Sequence, residues 1–188
     1  KDKTDDNGTD DPNITVITLN LNVSDPDPTK RLSSPADELS NIDIDNNGVN
    51  DFAAAVYYYK YDANNIDLYS VLIDASEDST NKISSYFVLG DLPMARAKTT
   101  SQIIDSSTPA YYVGYTALYG KEEGIVKYNF QSEFKGKGDK YVGVKFKKGS
   151  DFHYGWMKIN LSSDGKTLKI IDVAYDTRAN TPITVGAR

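Results

Sequence analysis

Short stretches of alternating apolar and polar residues, joined by glycine- and aspartate-rich turns, run through this sequence and favour an all-β fold. The clearest are the segments 140–149, 153–162 and 166–176, which the turns KKGSD and SSDGK connect. Alternation sends successive side chains to opposite faces of a strand, and short turns join antiparallel neighbours. The last third of the chain is therefore predicted to form an antiparallel meander, with Val142, Val144 and Phe146 on one face.

Six further segments have the alternation or composition of strands: 14–23, 52–62, 66–73, 83–89, 110–120 and 124–134. In the first of them, one face is formed by four apolar residues, Ile17, Leu19, Leu21 and Val23. Helical periodicity is nearly absent. The stretch 91–109 has no clear period and is expected to be an irregular loop or to hold a short helix near MARAK (94–98). We expect an antiparallel β-sandwich or jelly-roll-like fold of about eight to nine strands with little helix.

The chain length of 188 residues suits one domain. The first 13 residues, KDKTDDNGTDDPN, contain no side chain able to enter a hydrophobic core. They are therefore predicted to be a disordered, Asp-rich tether, with a frayed terminus as the alternative. Residues 14–188 are predicted to form a single β-sandwich domain.

The segment Asp43–Asp51 reads D-x-D-x-N-G-x-x-D, the spacing found at the front of an EF-hand calcium loop. Calcium prefers six to eight oxygen ligands, and alternate residues of a tightly wound loop turn their oxygens inward. Gly48 is expected to take the positive φ that bends the loop. The predicted ligands of a structural calcium ion are Asp43, Asp45, Asn47, Val49 through its backbone carbonyl, and Asp51, directly or through a water.

This loop departs from an EF-hand, because Ala54 stands where the twelfth position would carry a bidentate glutamate and the flanking segments are strand-like. It resembles instead the calcium loops of dockerin, thrombospondin type 3 and β-propeller repeats, which an aspartate at the ninth position closes. With so few charged ligands, we expect a dissociation constant on the order of 0.1–1 mM. The alternative is an Asx-rich turn that binds no ion, in which the three aspartates would repel one another.

Charge and cysteine content exclude several classes of function. The net charge of −6 and the pI near 4.8 disfavour nucleic acid and anionic membrane surfaces as partners. The absence of cysteine excludes disulfides, thiolate chemistry and cysteine-rich zinc sites. The sequence contains no apolar run close to the ~20 residues of a membrane-spanning helix.

The calcium loop and the N-terminal leader both favour export. A weak calcium site fills outside cells and stays empty in the cytosol. The polar leader is similar to the spacer that follows the lipidated cysteine of bacterial surface lipoproteins. We therefore expect an extracellular or cell-surface protein, attached by a lipid anchor upstream of Lys1.

No catalytic residues are predicted, and the chain is not expected to be an enzyme. His153, the only histidine, lies at the start of a strand beside the only tryptophan, and no G-x-S-x-G motif accompanies it. Glu133 is the one glutamate on a plausible strand, and it has no evident partner for the paired-carboxylate chemistry of glycosidases. A glycan-active hydrolase built around Glu133 or His153 is the least favoured hypothesis.

Tyrosine is abundant, with fourteen residues, and Tyr57, Tyr59 and Tyr61 fall on one face of a predicted strand. Exposed rings could stack against sugars, although tyrosine also packs in sheets with its hydroxyl group in water. The favoured hypothesis is an exported calcium-binding β-domain with a structural, adhesion or display role, whose partner would be a glycan or another surface protein. Carbohydrate binding for glycan capture is the alternative.

The last third of the chain combines a Y-V-G-x-x-F segment, a Y-G-W segment and an A-Y-x-T-x-x-x-x-P-I segment. Their residues are Tyr141, Val142, Gly143, Phe146, Tyr154, Gly155, Trp156, Ala174, Tyr175, Thr177, Pro182 and Ile183. This pattern resembles an uncharacterised C-terminal β-module of secreted bacterial proteins, in which a D-x-(D/N)-x-(D/N)-G-x-x-D-F segment is common upstream. The resemblance implies secretion and a β-rich fold, supplies no catalytic residues, and together with the leader suggests a bacterial surface lipoprotein. Gly155 and Trp156 are expected to be architectural, the glycine by permitting close approach and the indole by filling the core.

Overall fold

The computed structural model describes residues 11–24, 39–61, 66–75, 80–88, 92–108, 111–112, 115–123, 128–129 and 132–188. The first ten residues of the predicted tether lie outside these ranges. Asp11 and Asn13, near the end of that segment, are hydrogen-bonded to the C-terminal part of the chain. The N–H of Asp11 donates to the carbonyl of Arg188 at 2.7 Å, and the N–H of Thr177 donates to the carbonyl of Asn13 at 2.8 Å.

The described residues form strands and connections, with no helix, so the predicted all-β class is confirmed. The strands are β1 (Ile14–Ser24), β2 (Ser40–Ile42), β3 (Phe52–Tyr61), β4 (Ile66–Asp74), β5 (Lys82–Val88), β6 (Leu92–Ala95), β7 (Ala97–Lys98), β8 (Ile103–Ile104), β9 (Tyr111–Tyr112), β10 (Tyr115–Glu123), β11 (Tyr128–Asn129), β12 (Asp139–Lys148), β13 (Asp151–Leu161), β14 (Thr167–Asp176) and β15 (Ile183–Thr184).

Thirteen of these strands belong to one mostly antiparallel sheet. Its main path runs β1-β14-β13-β12-β5-β6-β10-β4-β3-β2, and β7, β9 and β11 pair with β12, β5 and β10. β8 and β15 form a separate two-stranded sheet. Because β1 packs against β3, the sheet returns toward its own beginning and is nearly closed, like a barrel. The predicted sandwich of about eight to nine strands is thus a single folded sheet with more strands.

Strand β5 joins two halves of the sheet. One half contains β1, β14, β13 and β12, and the other contains β6, β10, β4, β3 and β2. Ile83 pairs with Val144 of β12, whereas Ser85 pairs with Ala95 of β6. The inner faces of both halves enclose the main core. The half that contains β12 and β13 contributes residues such as Phe146 and Met157, and the other half contributes, among others, Phe52, Ile73 and Leu118.

The inward faces predicted for two strands are confirmed. Val142, Val144 and Phe146 of β12 are fully buried in the main core. On β1, three of the four predicted residues (Ile17, Leu19 and Leu21) pack against that core, and the fourth, Val23, belongs to it. A period of two was sufficient to identify these faces because one side of each strand meets the core.

A smaller apolar cluster lies on the other face of the C-terminal meander. It contains Tyr154 and Trp156 of β13, and Ile104 of β8 and Ile183 of β15 cover it. The indole of Trp156 is 1% exposed and packs edge-on against Tyr141. The architectural role predicted for Trp156 is therefore confirmed.

Of the strand predicted at 124–134, the described residues include β11, and residues 124–127, 130 and 131 lie outside the described ranges. Two local predictions are wrong. The MARAK segment forms β6 and β7 with no helix. Glu133, expected on a strand, lies in a bend. The strand number is higher than predicted partly because the described residues include isolated two-residue strands such as β7, β8 and β15. Such strands are too short to show alternation and depend on distant partners.

Candidate metal centre

The Asp43–Asp51 loop, called the metal loop below, connects β2 to β3, which pair antiparallel. Ile42 pairs with Phe52, and the N–H of Asp51 donates to the carbonyl of Ile42 at 3.0 Å. The two ends of the loop are therefore held side by side, and the loop must curl between them.

Apolar side chains anchor this loop just before and after it and at its second residue. Ile42, Ile44 and Phe52 are each at most 1% exposed. Ile44 Cδ1 comes within 3.4 Å of the point where a side chain on Gly155 would begin, so Ile44 uses the room that this glycine leaves on β13. Because Ile44 stands between Asp43 and Asp45, its burial restrains the backbone from which both carboxylates project.

Three carboxylates of the loop converge. One side-chain oxygen each from Asp43, Asp45 and Asp51 lies within 4.8 Å of the other two. The backbone turns sharply between them, with Gly48 at φ 87° as predicted. Oxygen atoms at this separation could hold a metal ion.

Backbone N–H groups of the loop point at the same carboxylates. Asn47 N–H lies 3.2 Å from Oδ1 of both Asp43 and Asp45, and Gly48 N–H donates to Asp43 Oδ2 at 2.7 Å. On the far side, Ile44 N–H donates to Asp51 Oδ2 at 2.9 Å. The loop is thus organised around its acidic groups by its own main chain.

One carboxylate oxygen of Asp45 receives none of the hydrogen bonds within the loop. The side chain of Asp45 is fully buried, and its Oδ2 has no hydrogen-bond partner. A buried carboxylate oxygen without a hydrogen-bond donor is costly in free energy, because the hydrogen bonds that it would make with water are lost. Its ion-pair partner in the described structure is the ammonium group of Lys148, at 3.5 Å.

Asp51 is also buried, with 5% of its surface exposed. Burial, reinforced by repulsion from Asp45 and Asp43, raises the pKa of Asp51 to about 7, while the N–H of Ile44 opposes the shift. A cation bound between the carboxylates would favour the ionised form of Asp51.

Two residues that contact the loop were not predicted from the sequence. Asn81 is 1% exposed, donates from Nδ2 to the carbonyl of Asp51 at 2.9 Å and accepts the N–H of Lys147 at 2.9 Å. Lys148 Nζ approaches Asp45 and donates to the hydroxyl group of Tyr175 at 2.8 Å. Both residues are distant from the loop in sequence, and no local pattern marks them.

The remaining two predicted ligands lie on the open side of the loop. Asn47 is exposed, and its Oδ1 accepts the N–H of Val49 at 2.7 Å. The side chain of Val49 is 65% exposed. Both border an open cleft that the loop forms with the β12–β13 turn, lined by Asn47, Val49, Asn50, Asp51, Asn81, Lys147 and Gly149.

The two residues named for the hydrolase hypothesis are not part of this site. His153 is buried, its Nδ1 lies 2.8 Å from the carbonyl oxygen of Asp176, and its ring packs near Phe146. Glu133 Oε2 accepts the N–H of Ala97 at 2.7 Å. The convergent acids in the described residues are those of the metal loop.

No family model matches this chain, and neither a curated protein nor a solved structure matches it. The resemblance of its last third to a module of secreted proteins therefore stays a prediction. Among the described residues, no helix has the length and apolar character needed to cross a membrane.

Proposed function

We propose that this chain is an exported calcium-binding β-domain, in which the ion has a structural role and the domain serves adhesion or display at the cell surface. The observation that carries the proposal is the convergence of Asp43, Asp45 and Asp51 around a buried carboxylate oxygen that lacks a hydrogen bond. A cation would satisfy that oxygen and reduce the repulsion among the three groups.

Calcium is the cation that this donor set favours. All candidate ligands are oxygens, whereas structural zinc sites use cysteine and histidine, and the single histidine lies elsewhere. Magnesium requires near-ideal octahedral geometry and keeps several waters, while calcium accepts irregular loops of carboxylates and carbonyls. Asn47 and Val49 would complete the coordination from the open side.

The structural role follows from where the loop is anchored. Its buried Ile44 contacts β13, and Asn81 and Lys148 connect it to the β12–β13 turn. An ion bound here would hold together parts of the sheet that are far apart in sequence. Weak affinity, on the order of 0.1–1 mM, would confine its effect to calcium-rich surroundings outside cells.

The test is thermal unfolding of the full chain in 10 mM calcium, in excess EDTA, and in 10 mM magnesium. We expect calcium to stabilise the protein by about 1.4–2.7 kcal/mol, which corresponds to a rise in Tm of roughly 3–10 °C. Asp45→Asn should lose the rise. Asp164→Asn is the matched control, because Asp164 accepts N–H and hydroxyl hydrogen bonds in the β13–β14 turn, outside the cluster of three carboxylates.

An unchanged Tm in calcium, together with no binding heat in titration calorimetry, would contradict the proposal and favour an ion-free Asx turn. An equal rise in magnesium would contradict the choice of calcium and leave a general divalent-cation site.

Glycan capture is the second candidate function, and the cleft beside the loop is the observation that favours it. The amide of Asn50 and the ammonium group of Lys147 border this cleft and can donate to sugar hydroxyl groups. The tyrosine face on which sugar stacking was predicted lies outside the described side chains. Binding to a glycan array that Asn50→Ala and Lys147→Ala both abolish would support this function; an array without hits would contradict it.

A further inference from the structure

We propose that Lys148 is the internal counter-ion of the metal loop, and that its ammonium group competes with a bound cation for Asp45 and thereby weakens the site. The inference rests on the proposed metal site and assigns the residue that sets its affinity.

Asp45 and Lys148 meet at the one oxygen of the loop that is buried and without a hydrogen bond. The distance from Lys148 Nζ to Asp45 Oδ2 is 3.5 Å, which is long for a hydrogen bond but close for two opposite charges. In the described structure the ammonium group therefore provides the positive charge that the buried carboxylate requires.

Lys148 is held in this position. Its Nζ donates to the hydroxyl group of Tyr175 at 2.8 Å and lies 4.9 Å from the centre of that ring. Tyr175 is 3% exposed and packs edge-on against Phe146 in the main core. The backbone beside Lys148 is fixed as well, because the neighbouring Lys147 N–H donates to Asn81, which also binds the carbonyl of Asp51. An ordinary surface lysine has no such set of contacts.

A divalent ion bound through Asp45 Oδ2 would come within a few ångströms of Nζ, where two positive charges repel each other. The ammonium group could leave toward solvent, since 42% of the Lys148 side chain is exposed, but it would then lose its partners Asp45 and Tyr175. Either outcome costs part of the binding free energy of the metal. Lys148 therefore lowers the calcium affinity of a loop whose three carboxylates would otherwise bind more tightly.

The experiment is titration calorimetry of the full chain with calcium at fixed pH and salt. The test variant is Lys148→Met, which keeps an unbranched side chain one atom shorter than that of lysine and removes its charge. The control is Lys166→Met, which removes the same charge from the turn at the opposite end of β13. We expect the dissociation constant to fall about tenfold in Lys148→Met and to stay unchanged in Lys166→Met.

Thermal unfolding of the same proteins provides a second measurement. In EDTA, Lys148→Met should unfold at a lower temperature than the wild type, because Asp45 loses its counter-ion; calcium should then raise its Tm by more than it raises that of the wild type. If Lys148→Met does not fold, Tyr175→Phe keeps the charge but removes the hydroxyl group that holds Nζ, and it should also bind calcium more tightly.

The outcomes separate this inference from the proposed function. Equal calcium affinity in the wild type and the folded Lys148 or Tyr175 variant would overturn the role of Lys148 and leave the metal site intact. Weaker binding in the variant would overturn it too, and would make Lys148 a supporting residue. If neither wild type nor variant binds calcium, the metal site itself is wrong and the counter-ion role falls with it.

Discussion

Asp51 makes the metal loop sensitive to pH. Its carboxylate is buried beside two others, and its pKa is raised to about 7 from the ordinary value of 3.8. Between these two pH values the folded, metal-free protein holds a proton that the unfolded chain has already released. The stabilising contribution of this group is therefore complete below about pH 4 and is lost as the pH rises through 7.

We predict that in EDTA the wild type loses stability relative to Asp51→Asn as the pH increases from 4.5 to 7.5. The asparagine can still accept the N–H of Ile44 but has no charge to bury. Urea unfolding of both proteins across this range measures the difference. Stability curves that stay parallel would show that Asp51 titrates near its ordinary pKa.

At the scale of elements, Gly155 allows β13, β14 and the metal loop to meet. A side chain at this position would begin 2.5 Å from the carbonyl oxygen of Ala174 and 3.2 Å from Val144 Cγ2. Ala174 belongs to the adjacent strand, so its backbone cannot move aside without disturbing the pairing of β13 with β14. The side chain of Ile44, which anchors the loop, fills the remaining space.

We predict that Gly155→Ala lowers the free energy of unfolding by about 3 kcal/mol. The control is Gly143→Ala on β12, where the nearest atoms belong to the flexible end of Ile104, at 3.1 Å, and where the loss should be about 1 kcal/mol. Urea unfolding at constant calcium compares the two variants. Equal losses would mean that the strand backbone adapts as readily as a side chain.

At the scale of the whole molecule, Asn81 connects regions that the chain itself keeps apart. It stands just before β5, the strand that passes between the two halves of the sheet, and bonds to Asp51 on one side and Lys147 on the other. Its two hydrogen bonds therefore connect the metal loop, the crossover strand and the end of β12.

We predict that Asn81→Ala destabilises the protein by about 3 kcal/mol, because it leaves a buried carbonyl and a half-buried N–H without partners. Calcium affinity should fall as well, since the backbone of Asp51 loses its support. Asn160→Ala, which removes an exposed bond to Asp139, should cost less than about 1 kcal/mol. Urea unfolding and calorimetry measure both effects, and a similar loss in the two variants would contradict the linking role of Asn81.

Local patterns in the sequence predicted the all-β class, the inward faces of β1 and β12, and the turn at Gly48. These features depend on local rules, namely a period of two along a strand and turn residues at fixed positions. The same rules could not identify two-residue strands, because such strands exist only through pairing with distant segments.

Long-range contacts determine how these elements close into one sheet and what surrounds the metal loop. The crossover at β5, the packing of β1 against β3, and the approach of Lys148 and Asn81 to Asp45 and Asp51 join residues far apart in the chain. Contacts of this kind depend on the burial and electrostatics of the finished fold. No pattern within a short segment predicts these contacts. The ion pair between Lys148 and Asp45 could therefore be identified only from the folded structure.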